Sequence, residues 1–166
     1  MNDKLDKYKK VISKDDLSSL DLGRYQGEII LVDTEHALNE ACKEIANCSI
    51  IGIDTETKPS FKKGVVNSVA LLQIATDKRV YIIRLKSVKM SSELASIFSN
   101  KNIIKVGIAV RDDLKDLKKF ILLMKKCSRL KYFGTKLGFE SIGAKKLSAL
   151  VLGFRISKDN KYLIGS

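Results

Sequence analysis

The run Ile50-Ile51-Gly52-Ile53-Asp54-Thr55-Glu56-Thr57 leaves the backbone little choice. Its β-branched residues lose side-chain freedom in a helix and pack well on a pleated surface, so the run predicts a buried strand. Strand side chains alternate between faces, which puts Asp54 and Glu56 side by side and Thr55 behind them. Two carboxylates at the end of a buried strand repel each other unless something positive lies between them, and a divalent metal ion is the natural candidate. A lone D-x-E is more often just a strand running into a polar turn, so the rest of the chain has to decide.

A chain of 166 residues, 45% hydrophobic and 30% charged, holds enough apolar material for one globular domain. We read residues 1–27 as an N-terminal arm and 28–166 as the domain proper. No apolar run approaches the ~20 residues that span a bilayer, and the first residues lack the apolar segment of a signal peptide. The expectation is an intracellular, cytoplasmic protein with no membrane partner. Cys42, Cys48 and Cys127 form no C-x-x-C pair, which supports neither a disulfide framework nor a zinc site and leaves core packing as their role. His36 is the single histidine and reads as a solvated residue near a helix start. The net charge of +12 comes from lysines spread along the whole chain. Such a field attracts polyanions, nucleic acid above all, although a lysine-rich surface alone argues only modestly for it.

Taken in order, Glu28–Val32 predicts a strand, and Asp33-Thr34 caps a helix carrying Leu38, Ala41, Cys42 and Ile45 at helical spacing. After the acidic strand, Lys58 to Gly64 reads as a loop. Val69–Ala75 and Val80–Ile83 read as an antiparallel hairpin around Thr76–Arg79, lying next to the acidic strand. Ser91 or Ser92 starts a helix through Leu94, Ile97 and Phe98, and a strand follows over 103–107. A helix is expected after Arg111-Asp112-Asp113, a short strand near Leu130, and a last helix over Ala144–Leu152. Strands alternating with helices give an α/β fold, with a mixed central sheet flanked by helices. Both acid pairs fall where strands end, the usual place for sites in such sheets, though Asp112 and Asp113 equally suit a helix cap.

In this order and at these distances the fragments resemble the DEDD-type 3′–5′ exonucleases, in the branch with ribonuclease D and the Werner syndrome exonuclease domain. The resemblance runs from Glu28 to about Lys158. Ile51 to Glu56 looks like the first exonuclease motif, and Val69 to Ala75, with its L-x-Q-I core, looks like the strand after it. Lys105-Val106-Gly107 with Asp112-Asp113-Leu114 and Leu117 is similar to the second motif. Lys145 to Gly153 is similar to the helix ahead of the third.

The resemblance implies a ribonuclease H-like exonuclease fold and two Mg²⁺ or Mn²⁺ ions about 4 Å apart, serving attack of water on the terminal phosphodiester of a single-stranded 3′ end. It makes Asp54, Glu56 and Asp113 the catalytic metal ligands, with Asp112 as the alternative to Asp113, and it gives Lys62 and Lys63 to substrate phosphates. The family's third motif, a tyrosine or histidine four residues before an aspartate, has no counterpart here: past Gly153 the only acid is Asp159, and Ser166 stands four residues after Tyr162. The expectation is therefore a C-terminally incomplete domain without its closing helix, truncated or naturally reduced, with little exonuclease activity of its own. Two other readings remain: a non-catalytic nucleic-acid-binding module on the same fold, and a ribonuclease H-like endonuclease.

Overall fold

The computed structural model describes residues 8–57, 69–88, 91–107, 130–131 and 143–157. The expected loop over 58–64, the helix after Arg111, and residues Lys62, Lys63, Asp112, Asp113 and Cys127 lie outside them.

The chain divides into two compact units, 27–131 and 1–26 with 132–166. In the first, β1 (Glu28–Val32), β2 (Ile50–Thr57), β3 (Val69–Ala75), β4 (Arg79–Arg84), β5 (Ile104–Val106) and β6 (Leu130–Lys131) form one sheet in the order β1-β4-β3-β2-β5-β6. β2, β3 and β4 run antiparallel to their neighbours in that series. β1 lies parallel to β4, β5 to β2, and β6 to β5. The expected hairpin is thus present, and its first strand lies against the acidic strand. Its turn is closed by Thr76, whose N–H donates to the Arg79 carbonyl (2.9 Å) while its hydroxyl accepts from the Lys78 and Arg79 amides.

Pairing register sorts the sheet into two faces. On one, Ile53 lies opposite Ile74 and Ile74 opposite Tyr81, while Thr55 lies opposite Leu72 and Leu72 opposite Ile83. All of these are buried. Two helices belong to the same core: α2 (Glu35–Ile45), through Leu38, Ala41, Cys42 and Ile45, and α3 (Ser92–Ser99), through Leu94, Ile97 and Phe98. Both begin as their caps predict, with the Thr34 hydroxyl accepting from Ala37 N–H at 3.2 Å and that of Ser91 from Leu94 N–H at 3.2 Å. A buried Leu, Ile or Phe contributes about 1.5–3 kcal/mol, so this layer supplies most of the unit's cohesion.

Besides Thr55, Lys105 and Tyr81 carry polar groups into that layer. Lys105, 1% exposed, lies opposite Ile51 and donates its ammonium to the Asn100 carbonyl at the C-terminus of α3, where a cation also complements the helix dipole. Tyr81, hydrogen-bonded to Glu44 of α2, is pushed up to about 12 by burial first and by that carboxylate second. Arg79 lies 3.5 Å from Glu44 and 3.4 Å from Glu28, so α2, β1 and β4 meet at one charged corner. The Arg79 Nε and Glu44 Oε1 contact lacks hydrogen-bond geometry, and both atoms are otherwise unsatisfied among the described residues. Cys42 behaves as a small apolar residue: it is buried, and desolvation raises its thiol to about 11, far from the reactive range.

In the second unit, α1 (Lys14–Ser19) is capped by Ser13, and α4 (Ala144–Leu152) ends at Gly153, whose φ of 77° is the left-handed closure glycine permits. The two chain segments are joined by a parallel bridge between Leu22 and Arg155, and the Arg155 Nε donates to the Leu20 carbonyl at 2.8 Å. Only glycine fits at Gly23, because a Cβ there would come within 2.0 Å of the Phe154 ring.

Thr55 is the weak point of the core face: its hydroxyl is buried with no partner among the described residues. Thr55→Val keeps the shape and removes the desolvated hydroxyl, and should raise stability by about 1 kcal/mol in denaturant unfolding. Tyr81 gives a second check. Its ionisation is held back to about 12 from the ordinary 10.0, so the unfolded chain loses its proton first and stability falls across that window. An alkaline absorbance titration should show one late-titrating tyrosine, absent from Tyr81→Phe.

Candidate active site

Opposite the core, the sheet's second face carries the polar chemistry. Register puts Gly52, Ala75, Val80 and Ile29 in one transverse row, Asp54, Gln73, Ile82 and Leu31 in the next, and Glu56, Leu71 and Arg84 in the third. Asp54 and Glu56 therefore sit at successive same-face positions, with α-carbons roughly 7 Å apart at ordinary strand rise. The burial pattern of β2 agrees, with Ile51, Ile53 and Thr55 buried, Asp54 exposed and Glu56 half-buried.

Two local features frame the pair. Before it, Gly52 faces Ala75 so closely that a Cβ would stand 3.2 Å from the Ala75 methyl, which keeps β2 and β3 tightly apposed next to Asp54. After it, the β2–β3 register slips by one residue: Glu56 faces Leu71, but Thr57 faces Val69. A bulge of this kind bends the strand and re-aims the side chains beside it. Glu56 stands at the last regular pair before the slip.

Asp54 reaches solvent, yet the surrounding strands desolvate it, and desolvation raises its carboxyl above the ordinary 3.8. The Thr55 amide, donating to the carboxylate, offsets only part of that. Among the described residues, no cation contributes to the balance. Asp54 thus carries a charge that its own surroundings disfavour, and a bound cation would relieve it. Two carboxylates are hard oxygen donors of the kind Mg²⁺ and Mn²⁺ accept, so the donor chemistry fits a divalent ion. Among the described residues, however, no three His, Cys, Asp or Glu side chains come together to hold a metal. His36 lies exposed on α2, apart from the acids in the fold.

The structure brings Asp54 and Glu56 together on one face, as their spacing predicts. The bulge beside Glu56 and the approach of Arg84 to the same row were not foreseen. The bulge has no local sequence signal. Arg84 could have been placed by counting residues from the hairpin turn, since the register fixes which β4 residue lies across from Leu71.

Residues 29–165 match the family of 3′–5′ exonuclease domains. The chain is 33% identical over 120 residues to a protein of Acanthamoeba polyphaga mimivirus named as a 3′–5′ exonuclease, an alignment covering 64% of this chain and 29% of that protein. It thus spans under a third of that relative's length. Among solved structures, the exonuclease domain of Nibbler from Aedes aegypti superposes with a TM-score of 0.69 at 21% identity, over 84% of this chain and 77% of that one. The catalytic core of RRP6 from Trypanosoma brucei superposes with a TM-score of 0.67 at 21% identity, over 89% and 41%. Ribonuclease D from Trypanosoma brucei, solved in complex with RNA, superposes with a TM-score of 0.53 at 19% identity, over 66% and 37%. At these identities the structural likeness speaks for the ribonuclease H-like fold. With the sequence match over nearly the whole domain, it follows that this chain belongs to the 3′–5′ exonuclease domain family.

Proposed function

We propose that this domain removes nucleotides from the 3′ end of a single-stranded nucleic acid, and that Asp54 and Glu56 hold the divalent metal ions, Mg²⁺ or Mn²⁺, that the reaction needs. The observation carrying this reading is the pair of carboxylates on the open face of the central strand, at a bulge, within the region that matches the exonuclease family. Nucleic acid as the partner is supported by the net charge of +12 and by the RNA held by the related ribonuclease D.

In this reading Asp54, Glu56 and Asp113, or Asp112 in its place, would hold the ions, with Asp54 and Glu56 the ligands from β2. When bound, such ions neutralise charge on the reacting phosphate and make a bound water more acidic. The chain's own part is to fix the carboxylates. The pleat holds Asp54 and Glu56 on one side, the core behind Thr55 prevents β2 from rotating, and Lys62 and Lys63 meet backbone phosphates. No covalent nucleophile is required.

The 166-residue chain has no tyrosine or histidine four residues before an aspartate after Gly153. Asp54 and Glu56 alone would offer the first ion two carboxylates, which by themselves hold a divalent ion weakly. This also keeps a non-catalytic nucleic-acid-binding role as the second reading.

Thermal unfolding separates the two. At tenfold excess over its Kd, an ion binding only the folded state stabilises by about 1.4 kcal/mol, or about 3–5 °C for a chain of this size. A Mn²⁺-dependent rise should appear in the native chain and vanish in Asp54→Ala and Glu56→Gln; a rise that survives both substitutions places the metal elsewhere. On an oligonucleotide labelled at its 5′ end, any Mn²⁺-dependent cleavage should shorten the strand stepwise and stop when the 3′ end is blocked. Cutting of an end-blocked strand points instead to an endonuclease.

The metal-free chain offers a pH test. Because the folded Asp54 carboxyl titrates above its ordinary 3.8, the folded state binds more protons than the unfolded one in the window that begins there, and stability falls as pH rises through it. Asp54→Asn should remove that component of the slope and raise the unfolding midpoint at neutral pH while abolishing the response to Mn²⁺. A variant less stable than the native chain in chelator contradicts it.

A further inference from the structure

Beside Glu56 the second face of the sheet opens into a cleft of about 430 Å³, within the size range of small-ligand sites. Its lining combines two unlike surfaces: an apolar patch of Ala70 and Leu71 on β3, and the side chains of Arg84, Lys86 and Ser87 at the end of β4. The fold builds this arrangement for reasons of its own. Leu85 and Val88 are buried in the core and pin the turn after β4, which also closes through Ser87 and Val88 amides donating to the Arg84 carbonyl at 3.0 and 3.1 Å. With 85 and 88 held inward, Arg84 and Lys86 remain exposed. The Leu85 amide donates to the carbonyl of Ala70, the residue left over by the β2–β3 slip, at 3.0 Å. The bulge beside the acid and the basic turn are therefore one mechanical unit.

The two arginines of β4 differ in what they do. Arg79 is committed to Glu28 and Glu44. Arg84, in the same transverse row as Glu56, makes no ion pair among the described residues. Two strand spacings separate it from Glu56, about 10 Å between α-carbons. A ligand that touches Leu71 with an apolar ring and Arg84 with an anion fits this cleft, and a nucleotide of a single strand has both parts. Arg is also the side chain suited to a bidentate hold on phosphate.

We propose that Arg84, with Lys86 beside it, grips a backbone phosphate of a nucleotide seated on Leu71, next to the carboxylate pair. This rests on the exonuclease reading above and adds to it a positioning residue in the hairpin. Arg84 then fixes how far the strand can advance past Glu56, and its effect falls on substrate binding rather than on metal.

The test is binding of a fluorescent oligothymidylate to the full chain in chelator, so that no cleavage occurs, over a series of salt concentrations. Arg84→Ala should weaken binding about tenfold and lower the salt slope by about 0.7, the loss of one phosphate contact to a single strand. Arg84→Lys should keep the slope and recover part of the affinity. Lys101→Ala removes an exposed charge in the turn after α3 and should change affinity less than twofold. Equal losses in Arg84→Ala and Lys101→Ala overturn the assignment while leaving the exonuclease reading intact. Failure of the native chain to bind the oligonucleotide at low salt overturns both. Thermal midpoints of all variants within a degree of the native chain exclude misfolding as the cause.

Discussion

The alternation of β2 is the constraint on which the rest depends. The strand is hydrogen-bonded on both edges, to β3 and β5, so it cannot slip by one residue without turning Ile51, Ile53 and Thr55 out of the core and the acids into it. Either half of that exchange is prohibitive: the exposed isoleucines forfeit about 1.5–3 kcal/mol each, and buried carboxylates cost more unless they are neutralised. The hydrophobic layer of α2 and α3 therefore does more than stabilise the domain. It sets the direction in which Asp54 and Glu56 point, at a distance, through the pleat.

That arrangement carries a stability cost at the site. Among the described residues, Asp54 is desolvated with no cation offsetting it and the buried Thr55 hydroxyl has no partner, and the ladder is broken beside Glu56. Each is a local violation of what a stable sheet prefers, and they fall on consecutive residues. Elsewhere the caps of α2 and α3 are satisfied and buried Lys105 is hydrogen-bonded, and the other buried unsatisfied atoms among the described residues are those of the Arg79–Glu44 contact. Departures of this kind on consecutive residues are what ligand sites commonly show, which agrees with the role proposed for Asp54 and Glu56.

Much of this could be read from residues alone because the determining signals are local. Glu28–Val32, Val69–Ala75 and Ala144–Leu152 appear with the bounds their patterns give, and Thr34 and Ser91 cap the helices they precede. The buried positions of α2 follow from helical spacing. What stayed hidden depends on pairing between distant segments: the slip at Glu56, the Leu22–Arg155 bridge, and the row that joins Glu56 to Arg84. A hairpin pattern says that two strands pair but does not say where the register will break, since a bulge has no composition of its own. The likeness to exonucleases supplied roles for Asp54 and Glu56, but no local pattern marked Arg84 as their neighbour.

Net charge misleads in a related way. A total of +12 says that a polyanion is attracted but not where it lands. In the sheet, one arginine of β4 is absorbed by Glu28 and Glu44, while α2 and α3 present Glu35 and Glu93 outward on the far side of the core. A strand of phosphates approaching that side meets carboxylates, and one approaching the Asp54 face meets Arg84 and Lys86 flanking the acids. Counter-charge on the acids then becomes decisive. On the proposed reading, Asp54 and Glu56 without a cation would repel a phosphate drawn by Arg84, and with one bound the same three groups would attract it together. On that reading the binding of metal and of nucleic acid would reinforce each other, and the reinforcement would be reciprocal in free energy.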